Sequence, residues 1–152
     1  MSKLVRILIA DDYSALRMAL ARALRSTPGI EVVGEAADGY AAVLLTGKLK
    51  PDIVLMDFNM PGLDGIQATQ CIVRQHPNVK VIGLSVHCFE FCAREMLEAG
   101  ARAYVLKDGD MEELLAAIEA VGRGQRYVSP EVLGLGRESS WRTAPRKLSR
   151  IG

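Results

Sequence analysis

The chain has 152 residues, 49% of them hydrophobic and 24% charged, with a formal net charge of +1. That length holds one domain with a real core and is too short for two full ones, and the composition is that of a globular protein rather than a disordered one. The longest apolar stretches are strand-length and broken by charge, which excludes a membrane span of ~20 apolar residues, and the start lacks the apolar core of a secretion signal because Arg6 interrupts it.

Strand-like and helix-like patterns then alternate. Leu4-Val5-Arg6-Ile7-Leu8-Ile9-Ala10 reads as a first strand that delivers Asp11 and Asp12. Ser14 is placed to cap a helix whose apolar positions Leu16, Ala19, Leu20, Ala23 and Leu24 follow a 3.6 period. Thr27-Pro28-Gly29 ends that helix, and residues 30–36 read as a second strand. Ala37-Asp38-Gly39 turns the chain into a short helix over residues 40–49, and Pro51 precedes a third strand that ends at Asp57. The loop Asn59-Met60-Pro61-Gly62-Leu63-Asp64-Gly65 leads to a helix near residues 66–74, closed by His76-Pro77-Asn78. A fourth strand runs up to Ser85, a helix covers about residues 90–99, and a fifth strand, Ala103-Tyr104-Val105-Leu106, delivers Lys107. A last helix lies near residues 111–121. Five β-then-α units in succession predict an α/β fold with a parallel sheet covered on both faces. The expected form is a flavodoxin-like, doubly wound, five-stranded sheet of order 2-1-3-4-5.

Behind the neutral total lies an asymmetry. Residues 1–122 carry 12 Lys and Arg against 16 Asp and Glu, a net of −4, while residues 123–152 carry 7 against 2, a net of +5. An acidic body over residues 1–122 is therefore expected to end in a basic linker or truncated tail over residues 123–152, largely disordered. Three cysteines, Cys71, Cys88 and Cys92, fit no disulfide framework and suggest a reducing, cytoplasmic setting. The spacing of His87, Cys88 and Cys92 is poor for tetrahedral zinc.

On a parallel sheet, Asp11, Asp12, Asp57, Ser85 and Lys107 converge at the carboxyl edge, where open α/β sheets bind ligands. Three carboxylates crowded there call for a divalent cation, and Mg²⁺ accepts a few protein carboxylates together with water and phosphate oxygens. A carboxylate on Asp57 can attack phosphorus to form an acyl phosphate. Lys107 offers a point charge and Ser85 a hydrogen bond to phosphoryl oxygens. There is no glycine-rich phosphate loop, so the phosphoryl group is expected to come from a donor and stay on Asp57 rather than arrive as a bound nucleotide.

These residues, with the stretch from Asp57 to Gly65, resemble the receiver domain of bacterial two-component response regulators over about residues 3–122. Gly100 to Asp108, Glu112-Glu113-Leu114-Leu115 and Tyr127-Val128-Ser129-Pro130 resemble the LuxR-type subfamily in particular. The resemblance implies Asp57 as phosphoacceptor, with Lys107 and Ser85 on the phosphoryl group. It implies Mg²⁺ held by Asp11, Asp12, Asp57 and the Asn59 backbone carbonyl. Ser85 and Tyr104 would form the switch, Tyr104 turning inward as Ser85 moves toward the phosphate. The implied partners are a sensor histidine kinase and a second copy of the chain, with no membrane. Self-phosphorylation and autodephosphorylation would be its only chemistry.

Two departures from the family pattern stand out. Asp108 follows the lysine where many receivers have proline, and only some 30 residues follow the last helix. A LuxR-type helix-turn-helix domain needs about 60 residues and a supporting core, so DNA is a partner only if such a domain is present in the full-length protein. The alternatives are a LuxR-type transcriptional regulator whose DNA-binding part is missing from this chain, an interaction module with a dead site, and a Mg²⁺-dependent phosphohydrolase. That last class usually places its two aspartates as Asp-x-Asp on the first strand, whereas Asp11 and Asp12 are adjacent.

Overall fold

Successive strand residues point to opposite faces of a sheet, so a strand that is apolar throughout must be covered on both sides. The computed structural model describes residues 3–86, 90–107 and 109–132. In chain order its elements are β1 (Val5–Ala10), α1 (Ser14–Arg25), β2 (Ile30–Ala36), α2 (Gly39–Leu49), β3 (Ile53–Asp57) and α3 (Gly65–Gln75). They continue with β4 (Lys80–Ser85), α4 (Glu90–Glu98), β5 (Ala103–Leu106), α5 (Met111–Gly122) and β6 (Tyr127–Val128). All strand pairs are parallel and the order is β2-β1-β3-β4-β5-β6. The expected 2-1-3-4-5 order is present, extended at one edge by a two-residue strand.

Alternation along the strands divides the core in two. Leu8, Ala10, Val54, Met56, Val81 and Tyr104 join residues of α2, α3 and α4 such as Ala42, Ala68, Ile72 and Met96. Ile7, Ile9, Ile53, Leu55, Ile82, Leu84 and Val105 join Ala21 and Leu24 of α1 and Leu114, Ala117, Ile118 and Val121 of α5. Each fully buried Ile or Leu contributes about 1.5–3 kcal/mol of transfer free energy. Three helices start on aspartate caps: Asp38 accepts from the Ala41 N–H (2.8 Å), Asp64 from Gln67 (2.8 Å) and Asp110 from Glu113 (3.2 Å).

Two expectations need correcting. Ser14 is not the cap of α1; it is the first helical residue, Tyr13 holds the cap position, and no side chain caps that end. Nearby, Asp11 Oδ1 accepts the Tyr13 N–H at 2.9 Å, so the turn into α1 is organised from the acidic pair instead. Nor does the chain leave the domain after residue 122. Tyr127 and Val128 pair with Ala103 and Tyr104, and Ser129 and Val132 are buried. His87, Cys88, Asp108 and the basic stretch from residue 133 onward lie outside the described residues.

The glycine that opens α3 has a packing reason. A Cβ on Gly65 would run into the carbonyl oxygen of Asp57 and lie 2.9 Å from the Phe58 Cα and carbonyl oxygen. Gly65→Ala is therefore expected to cost about 1–3 kcal/mol, read as a lower midpoint in urea unfolding at unchanged slope.

Candidate functional site

Four strand ends supply the site. Asp11 and Asp12 follow β1, Asp57 closes β3, Ser85 closes β4 and Lys107 follows β5. Because β1 lies beside β3, and β4 joins β3 to β5, parallel register brings these ends to one edge. Asp11 is fully buried, Asp57 is 3% exposed and Ser85 4%, while Asp12 is exposed. Lys107 Nζ sits 2.9 Å from Asp11 Oδ2 and 3.3 Å from Asp57 Oδ1, a single ammonium shared by two buried carboxylates. The Asn59 N–H donates to the same Asp57 Oδ1 at 3.3 Å. The Lys107 N–H donates to the Ser85 carbonyl at 2.8 Å, tying the hydroxyl-bearing strand end to the lysine.

Electrostatics follow from this crowding. Burial first, then the negative charge of Asp11, pushes the Asp57 carboxyl up to about 7, against the opposing pull of Lys107 and the Asn59 N–H. Burial disfavours the Lys107 charge, yet hydrogen bonding and attraction from Asp11 and Asp57 outweigh it and raise its pKa. One carboxylate oxygen from each of Asp11, Asp12 and Asp57 lies within 4.8 Å of the others. The donor set is all carboxylate, without sulfur or imidazole, which suits a hard cation of the Mg²⁺, Ca²⁺ or Mn²⁺ kind. With one lysine against three acids, the cluster has charge to spare for such an ion.

The sequence reading missed one residue that positions the site. Arg17 Nη1 donates to the Asp11 carbonyl at 2.7 Å, and its Nε donates to Glu35 Oε1 at 3.0 Å, so a half-buried guanidinium pins the acidic loop to β2. Its only sequence signal is an arginine in the first turn of a helix that otherwise turns apolar residues inward. Tyr104, expected to turn inward on switching, is already fully buried here. Its ring and Met96 fill the space over Gly83, where a Cβ would lie 2.8 Å from Tyr104 Cδ1 and 2.9 Å from Met96 Cε.

The raised Asp57 pKa sets a pH dependence for the chelated protein. A carboxyl whose folded pKa lies above its unfolded value of ~3.9 makes the fold bind more protons than the unfolded chain, so stability falls as pH rises from about 4 to 7 and levels off above. Asp57→Asn should remove most of that slope and stabilise the metal-free fold at pH 8 by about 1–3 kcal/mol. That is below the ~4 kcal/mol of the full shift, because Lys107 and Asp11 readjust. Denaturant titrations of both proteins in EDTA at pH 5 and pH 8 measure it.

Comparison with known proteins places the chain in a family. The family model for the response regulator receiver domain matches residues 7–119. Response regulator GacA of Pseudomonas viridiflava is 38% identical over 129 residues, covering 85% of this chain and 60% of GacA. Transcriptional regulatory protein LiaR of Bacillus subtilis is 40% identical over 131 residues, 86% of this chain and 62% of LiaR. Thus the chain spans about three-fifths of the length of these curated relatives. Among solved structures, a LuxR-family two-component response regulator from Aurantimonas sp. SI85-9A1 superposes with a TM-score of 0.82 at 37% identity, covering 86% of this chain and 94% of the other. The isolated receiver domain of RcsB from Salmonella enterica serovar Typhimurium, solved with phosphomimetic BeF3⁻, gives 0.77 at 26% identity over 86% and 96%. No helix among the described residues is long and apolar enough to cross a membrane. With the receiver-domain model matched over residues 7–119 of this parallel-sheet fold, the chain belongs to the receiver-domain family of two-component response regulators.

Proposed function

We propose that Asp57 is the phosphoacceptor of this receiver, taking a phosphoryl group from the phosphohistidine of a sensor histidine kinase. The observation that supports this best is the shared ammonium of Lys107, 3.3 Å from Asp57 Oδ1 and 2.9 Å from Asp11 Oδ2. Oδ1 is engaged by Lys107 and the Asn59 N–H, which leaves Oδ2 to attack phosphorus. An O–P bond to Asp57 forms as the donor's N–P bond breaks, and the bonding pair leaves with the imidazole. Catalysis in such a transfer is mainly positioning and neutralisation of the equatorial oxygens.

Asp11, Asp12, Asp57 and the Asn59 carbonyl would hold Mg²⁺, which when bound neutralises charge on the phosphoryl oxygens. Lys107 swings part of its attraction from Asp11 to those oxygens, and Ser85, at the adjoining strand end, donates its hydroxyl. Autodephosphorylation reverses the bond with water as acceptor, so the protein is consumed and regenerated rather than turning over external substrate. The receiver unit in this proposal runs from residue 3 to residue 132, beyond the boundary expected from sequence. The output is an altered affinity for a partner or a second copy of the chain. DNA is a partner in this proposal only if a helix-turn-helix domain is present in the full-length protein.

Incubation with Mg²⁺ and acetyl phosphate, read by intact mass, tests the assignment. A gain of one phosphoryl group is expected, absent in Asp57→Asn and in EDTA. A folded protein that gains nothing from either acetyl phosphate or a phosphorylated kinase would overturn it, and multiple turnover of a phosphomonoester would favour a hydrolase.

A further inference from the structure

The segment after α5 has no part in the acidic site, yet it is wrapped around Tyr104. Tyr104 pairs with Gly83 of β4 on one side and with Val128 of β6 on the other. Its carbonyl accepts the Ser129 N–H at 2.9 Å, and Ser129 is fully buried. The chain then turns, the Val132 N–H donating to the Ser129 carbonyl at 3.0 Å. Val132, 1% exposed, enters the same apolar cluster as Tyr104, Met96 and Cys92, and Val128 packs against it. Tyr127 faces the opposite cluster, and its hydroxyl donates to Glu113 Oε2 at 3.0 Å, fastening the segment to α5. Residues 127–132 therefore grip both faces of the sheet edge, with their apolar anchor, Val132, in the same core cluster as Tyr104.

Tyr104 also stands one short step from the site. It lies three residues before Lys107, and its β4 neighbour Gly83 lies two before Ser85. We infer that residues 127–132 are a strap whose docking and the inward position of Tyr104 form one two-state element, so that a phosphoryl group on Asp57 is read out as a firmer hold on the chain that follows Val132. The inference about phosphorylation rests on the phosphoacceptor role proposed above; the coupling of strap to Tyr104 does not. Coupling of this kind is reciprocal, so each end must respond to a change at the other.

Amide hydrogen exchange on the full chain, followed by mass spectrometry, tests both. In Tyr104→Ala, exchange across residues 128–132 should rise about tenfold or more, as a local opening made easier by about 1.4 kcal/mol predicts, while β2 amides stay protected. Val132→Ala gives the reciprocal arm, in which β5 amides exchange faster; it decides the matter if Tyr104→Ala does not fold. Strap protection unchanged in a folded Tyr104→Ala, or β5 protection unchanged in Val132→Ala, would overturn the coupling. In wild type carrying a phosphoryl group verified by mass, strap exchange should slow several-fold; equal rates with and without that group would sink the readout. A protein that takes up no phosphoryl group would strike the phosphoacceptor assignment, with the strap judged on the two variants alone.

Discussion

One ammonium held between two buried carboxylates is the constraint around which this molecule is arranged. Asp11 and Asp57 are carried by neighbouring strands whose remaining residues are almost wholly apolar, so their side chains meet whether or not they attract. Lys107 neutralises only part of that charge. A close ion pair at an effective dielectric of about 20 is worth about 4 kcal/mol, and withdrawing each ion from water costs several. The site therefore adds little to the fold, and the two apolar layers hold it in place. This is the useful arrangement for a switch, because an added cation or phosphoryl group acts on charges that are already confined and incompletely balanced.

Much of this was legible in the sequence because the chemistry sits at strand ends. Apolar runs followed by Asp11-Asp12, Asp57, Ser85 and Lys107 needed only the parallel topology to bring them together, and topology followed from alternating periods of two and 3.6. What escaped notice depends on contacts between distant segments. Arg17 matters through Glu35 and the Asp11 carbonyl, 18 and 6 residues away, which no local pattern records. Ser14 looked like a cap because serine often is one, but the preceding turn is organised by Asp11. β6 has two residues, too few to show any period, and its place is set by β5. The inward Tyr104 depends on a glycine one strand away at position 83, whose missing side chain is what makes room.

β5 carries a disproportionate share of the design. It has four residues, yet it supplies Tyr104 to one core layer and Ala103 and Val105 to the other, then hands Lys107 to the acidic edge. An interior strand so short can hold its register because it is paired on both sides. Without β6 it would be the sheet's margin, with one row of its backbone groups turned to water.

The two outermost strands among the described residues show how the sheet's margins are kept from pairing with a foreign strand. Exposed sheet margins are templates for pairing with another chain, and proteins blunt them with brevity or charge. β6 uses brevity. β2, with seven residues, uses charge: Glu31 and Glu35 stand along it, engaged by Arg6, Arg17 and Arg25 at 3.9, 3.0 and 3.7 Å. A foreign strand laid beside β2 would have to displace these ion pairs and desolvate their charges. The arginine that steadies the acidic loop thus also helps guard the protein against aggregation.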